Sequence, residues 1–205
     1  MRDGICGSSE SVGGIDSAWS SSFVPVNLGR MELALADQHH LRAAVGWLEL
    51  GNASEALAEL DQMSADGQAR ADTLEVRWLI LARQQNWNAA ATIGHALITA
   101  TPERAGGWLN YSYALRRATS GGLPAAFAAL SSVAEKFSEE PTVHYNLACY
   151  CCQMERDPAE TLAWLRRALG CGERKSILAM ALQDPDLRPL RERIAGLAKD
   201  GRTPP

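Results

Sequence analysis

Three thiols stand within four residues, Cys149, Cys151 and Cys152, with Cys171 further along and Cys6 near the amino terminus. On a helix Cys149 and Cys152 share a face, and Cys151 turns away from it. A thiolate metal centre needs about four converging ligands. His144 is more than a helical turn from Cys149 and makes a poor one. Cysteine also serves as a compact hydrophobe at crowded helix crossings, and that is the favoured reading of the cluster. A thiol-based redox or metal-binding role through Cys149, Cys152 and Cys171 stands as the alternative. His39, His40 and His95 have no nucleophile or HExxH pattern around them. The carboxylates lie among arginines on amphipathic stretches, and no pair has a spacing that demands acid–base work. Gly106-Gly107 leads into Trp108 and not into the Lys-Ser/Thr of a phosphate loop. No enzyme activity, cofactor or metal is expected.

The elements that must position these side chains are helical. The 205 residues are 46% hydrophobic and 21% charged, ordinary for a folded chain and ample for a core. Ala is very frequent, Ala, Leu, Arg, Glu and Gln are strong helix formers, and β-branched or aromatic runs are scarce, so the expected class is all-α. With a net charge of −4 and scattered arginines, no basic excess points to nucleic acid. No apolar run approaches the ~18–20 residues of a membrane helix. An odd number of cysteines and no secretory signal predict a reducing, cytoplasmic location.

Residues 1–30 are Gly/Ser-rich and without period, which predicts a disordered tail. Met31 opens the helical sequence abruptly, and residues 1–30 are as readily upstream sequence that the cell does not translate. Residues 31–200 read as one helical domain, and 201–205 as a flexible end. Breaks at Gly51-Asn52, Asp66-Gly67, Gln85-Asn86, Gly121-Gly122 and Asp157-Pro158 separate amphipathic stretches such as 53–63 and 87–98. Ala56 and Ala90 lie 34 residues apart at the same place in their stretches, followed by Ala129 and Thr161 as less regular copies. Paired helices approach closely where a small residue sits at the crossing, which gives the recurrence a physical reason.

From about Glu32 to Leu197 the chain resembles small bacterial tetratricopeptide-repeat proteins, whose period is about 34 residues. The resemblance rests on Tyr145-Asn146-Leu147-Ala148-Cys149-Tyr150, on residues 161–169, and on the large–small alternation from Trp108 to Leu115. Pro141 is placed to start a helix at its first turn. Trp78, where the family has a small residue, and an insertion at 120–124 are departures. The resemblance implies a short right-handed solenoid of about four helical hairpins. The end of the chain fits a cap: a stop at Gly170-Cys171-Gly172, a helix over 175–182, the turn Asp184-Pro185-Asp186, and a last helix from Leu187 to about Ala198. Its inner face would carry Leu187, Leu190, Ile194 and Leu197, and its outer face Arg188, Arg191, Glu192, Arg193 and Lys199.

Spacing at i, i+4, i+7 groups Leu109, Tyr113 and Arg116, with Trp108, Ser112 and Leu115 on a second stripe. The same phase picks out Glu75, Leu79 and Ala82, with Arg83 beside them, and Tyr145, Cys149 and Cys152. Stacked repeats would turn this set into a concave groove that takes a protein or peptide, since Tyr and Arg are common interface anchors. The ordinary alternative is a groove filled by neighbouring side chains or by the chain's own tail. Asn110 and Asn146, with Arg116 and Arg117, suit part of a carboxylate clamp, but no lysine falls on these helices. The expected function is an adaptor, assembly factor or chaperone, with a secretion-type chaperone for one client as an alternative. The expected state is a monomer or weak homodimer. Trp47, Trp78, Trp87, Trp108 and Trp164 are the large core candidates.

Overall fold

The computed structural model describes residues 33–199, so the segment 1–30, Cys6 and residues 201–205 lie outside the described residues. The described residues form eleven α-helices and one 3-10 helix, with no strand. They are α1 (Leu35–Glu49), α2 (Ala53–Asp61), α3 (Ala65–Gln68), α4 (Ala71–Arg83), α5 (Trp87–Ala100) and α6 (Ala105–Arg117). There follow α7 (Leu123–Ser131), α8 (Pro141–Gln153), α9 (Pro158–Cys171), α10 (Arg174–Gln183), the 3-10 turn Pro185–Leu190 and α11 (Arg191–Lys199). None is long and apolar enough to cross a membrane.

The starts of the helices follow from local chemistry. Asn52, Asn86 and Asp157 accept backbone N–H groups at the starts of α2, α5 and α9. Pro124, Pro141 and Pro158 sit in first turns, where a missing N–H costs nothing. Gly51, Gln85 and Glu155 take left-handed φ values of 80°, 56° and 54° just after α1, α4 and α8. In each case the next residue's N–H bonds back to the carbonyl five positions before it, on Trp47, Leu81 and Cys151. One helix stop is thus used three times, twice without the glycine that favours it. The turn after α6 is longer, closes through Gly122 N–H on Leu115 O, and holds the insertion seen in sequence.

The helices α2, α5, α7 and α9 begin at 53, 87, 123 and 158, at intervals of 34, 36 and 35 residues. The fourth residue of each is Ala56, Ala90, Ala126 and Thr161, and all four are fully buried. Ala126 therefore takes the crossing expected of Ala129, which is half-buried. The reason is local: Pro124 starts α7 at Leu123, so the fourth position comes three residues, nearly one turn, earlier.

Apart from the short α3, which α2 passes to pack on α4, each helix packs on the next, and α1, α4, α6 and α8 also touch in that order. Leu41, Ala44, Leu48, Leu60 and Ile80 fill the space among α1, α2 and α4. Trp78, Leu97, Tyr113 and Ala114 continue it. A larger cluster around Leu130, Leu147, Leu165 and Leu187 fills the carboxy-terminal half. Of the five tryptophans expected in the core, Trp78 is buried at 2% exposure, Trp87, Trp108 and Trp164 are half-buried, and Trp47 is exposed on the outer side of α1.

The last helix begins later than its apolar spacing predicts. Pro189 lacks an N–H and cannot join an α-helical ladder, so 185–190 forms a 3-10 turn and α11 starts at Arg191. The inner face is as expected: Leu187, Leu190, Ile194 and Leu197 are buried, and Arg188, Arg191, Glu192 and Arg193 are exposed. The side chain of Lys199 lies outside the described residues.

Candidate functional site

The ten residues singled out by spacing lie on three helices that touch in order. Glu75, Leu79, Ala82 and Arg83 are on α4; Leu109, Tyr113 and Arg116 on α6; Tyr145, Cys149 and Cys152 on α8. Period-3.6 geometry puts each group on one stripe of its helix, and the two halves of this face are built differently.

Over α6 and α8 the face holds the chain's own turn. Arg116 donates to both carboxylate oxygens of Asp186, at 2.5 and 3.0 Å, a bidentate pair with side chains 16% and 9% exposed. Tyr145 Oη donates to Asp184 Oδ2 at 2.8 Å, and Cys149 Sγ to the same oxygen at 3.6 Å. Gln153 Nε2 donates to the Asp186 carbonyl at 3.0 Å. Asp184 Oδ1 accepts the Asp186 N–H, which stiffens the turn, and Leu187 beyond it is fully buried. Leu109, Tyr145, Cys149 and Cys152 are buried beneath this cover. The alternative in which the chain's own tail fills the groove therefore describes this half. Tyr113 is buried too, its ring edge-on to Trp78 and Trp87 with the Arg117 guanidinium 3.8 Å from its centroid.

The electrostatics follow from burial. Burial pushes the Cys149 thiol well up, and the nearby Asp184 and Asp186 charges add to the effect. Cys151 is pushed up to about 12 by burial and then by Glu160. Cys152 and Cys171 are also raised, by burial first. All four are therefore held as thiols, the form with little nucleophilic or ligating power. Burial alone would lower Arg116, but its bond to Asp186 and the charge there outweigh that and hold it above its ordinary value.

No family model, curated protein or solved structure matches the chain. Its chemistry rests on its own geometry. Among the described residues the potential ligands that converge are Cys149, Asp184 and Asp186, with ligand atoms within 4.8 Å of one another. The set weighed as the alternative, Cys149, Cys152 and Cys171, does not come together: the Cys171 thiol turns back onto Arg167 O at 3.2 Å. The carboxylates beside Cys149 already face Arg116, Tyr145 and a backbone N–H, an arrangement that fits an ion-pair network and would have to be dismantled for a metal.

Over α4 the same face is more open. Leu79 and Ala82 are half-buried, and Arg83 is exposed while its guanidinium donates to Leu48 O at the end of α1. Glu75 pairs with Arg104 at 3.2 Å. Burial raises the Glu75 carboxyl, against the pull of Arg104. Asn110 and Asn146, considered for a clamp, are buried. Sequence reasoning treated Asp184 and Asp186 as a helix cap and passed over Gln153. One signal was readable: Arg116 has no acid three or four residues away on its own helix, so a buried partner had to come from elsewhere.

Proposed function

We propose that this chain is a non-catalytic protein-binding module of the tetratricopeptide type, a short right-handed solenoid of four hairpins whose concave face takes an extended peptide. The regular helix starts and the small residue at the fourth position of each second helix support the architecture. One observation carries the binding role. The face of α6 and α8 already holds a short acidic turn, by an arginine fork, a tyrosine hydroxyl and a glutamine amide. Among the described residues the same face continues onto α4 without that cover, and there Glu75, Leu79, Ala82 and Arg83 offer an apolar strip with one charge of each sign. A partner segment would lie along this amino-terminal half.

A photo-reactive side chain at Ala82 tests the assignment against one at Thr92, which is exposed on α5. In lysate of the native host the Ala82 probe should yield a discrete adduct, competed away by unlabelled protein. Arg83→Ala, which removes an exposed guanidinium from the same strip, should weaken that adduct at little cost to the melt. Equal labelling from Thr92 moves the site off this face, and no competed adduct from either probe removes the reading. The roles of adaptor, assembly factor and single-client chaperone all use this surface, and the identity of the adduct separates them.

A further inference from the structure

The amino-terminal end of the stack carries an apolar face of a different kind. Leu35 and Trp47 on α1, and Leu50 just after it, are 68%, 36% and 78% exposed. Ala43 and Gly46 lie between them, and with Trp47, Leu50 and Glu59 they line a hollow of about 420 Å³. Counted back from the left-handed turn residue, Gly46 and Trp47 take the places of Ile80 and Leu81 in α4 and of Tyr150 and Cys151 in α8. All four of those are buried. The fold thus covers these positions with a helix in later units, while on the first helix they face outward.

We propose that this face pairs with the same face of a second copy, the two α1 helices packing antiparallel across a twofold axis near Val45–Gly46. Three features of the molecule favour that occupant. The face is self-complementary, with Trp47 as a projection and the Ala43–Gly46 strip as a hollow, as a twofold interface requires. In the antiparallel arrangement each Trp47 comes over the partner's Ala43. The same arrangement places Arg42 alongside the partner's Glu49, twice by symmetry, on the other flank of the contact; both residues are exposed in the single chain. Finally, head-to-tail stacking is opposed, because the carboxy-terminal end is closed and presents Arg188, Arg191, Glu192 and Arg193. Pairing of the two amino-terminal ends gives a closed dimer with both α4 faces still accessible, so it is independent of the peptide-binding proposal.

Sedimentation equilibrium of the full chain over a range of concentrations tests it, with a charge swap as the discriminating step. The wild-type chain should form a reversible dimer. Arg42→Glu and Glu49→Arg should each weaken it about tenfold, and the double variant should regain most of the loss. Trp47→Ala should also weaken it, and at concentrations where the chain is monomeric its melting temperature should fall far less than that of Trp78→Ala. A wild-type monomer throughout the range overturns the proposal. So does a dimer that ignores both swaps, or a double variant no better than the singles. If the monomer nonetheless shields Trp47 from oxidative footprinting, the occupant is residues 1–32 of the same chain, and the dimer is again excluded.

Discussion

The two halves of the α4–α6–α8 face share one geometry and differ in what lies on it. Over α6 and α8 the chain returns and seats Asp184, Asp186 and Leu187 there, so Arg116, Tyr145 and Cys149 act within the fold. Over α4 no such return is made among the described residues, and Leu79, Ala82 and Arg83 keep part of their surface. A residue's place on a helix face therefore does not settle whether it binds a partner; what the rest of the chain lays over it does. The same contrast holds at the ends, where α11 closes one and α1 leaves Trp47 and Leu50 outward at the other.

A wide gap between the regions is expected at the tryptophans. Trp78→Ala empties a site at 2% exposure and should cost about 3–5 kcal/mol. Trp47→Ala removes a ring that is 36% exposed and should cost distinctly less, about 1–2 kcal/mol. Urea unfolding of both variants at low protein concentration checks this. Comparable losses would mean that Trp47 is packed in solution.

The arginines sharpen the comparison between the halves of the face. Arg116→Ala strands the Asp186 carboxylate, which is 9% exposed, and should cost about 3–5 kcal/mol. Arg83→Ala removes an exposed guanidinium from one carbonyl and should cost about 1 kcal/mol or less. Because the Arg116 loss comes from an unpaired charge, Arg116→Ala combined with Asp186→Leu should recover much of it. A double variant as unstable as the single would mean that the turn is held by its apolar anchors alone.

The register of the crossings gives a smaller effect. Ala90→Leu overpacks a fully buried position and should cost about 1–3 kcal/mol. In α7 the penalty should fall on Ala126→Leu, whereas Ala129→Leu should be nearly neutral. Thermal melts of the three variants locate the crossing in each half.

Much of this was legible before any coordinates. Helix class, the breaks at Gly51-Asn52, Gln85-Asn86 and Asp157-Pro158, and the inner face of the last helix depend on local periodicity and turn chemistry, which sequence carries directly. Spacing places the third crossing at Ala129, and the structure has it at Ala126, because the length of the insertion before Pro124 decides where α7 begins and apolar spacing does not carry that length. The last helix was started too early because the apolar spacing of Leu187 and Leu190 continues through a 3-10 turn as well as through an α-helix. At the candidate site, the stripes on α4, α6 and α8 came from the same periodicity. The lid over two of them did not, since the Arg116–Asp186 pair spans 70 residues and no local rule links its partners.

The turns serve as an internal control, because one stop recurs in both halves. Gln85 and Glu155 hold left-handed φ values that glycine adopts without strain. Gln85→Gly and Glu155→Gly should each stabilise by about 1 kcal/mol or less, and Gly51→Gln should lose a similar amount. Unequal gains in the two turns, read from urea midpoints, would show that packing beyond the turn sets the local cost.

The smallest effect concerns the one acid of the open half that burial disturbs. Burial raises the Glu75 carboxyl above its ordinary value, and Arg104 only partly opposes this. A group raised in the fold binds its proton more tightly there than in the unfolded chain. Its stabilising contribution is therefore complete below the ordinary glutamate value and is lost as pH rises through the raised one. At neutral pH the ionised Glu75 opposes folding slightly. Glu75→Gln should then stabilise at pH 7 by no more than about 0.5 kcal/mol, and the gain should shrink as the pH falls towards 4. A partner that supplies a cation beside Glu75 would reverse the sign, because the charged form would gain what Arg104 alone does not provide. In that case Glu75→Gln would raise stability in the isolated chain and lower affinity for the partner, a pairing of effects that a residue with a purely structural role does not produce.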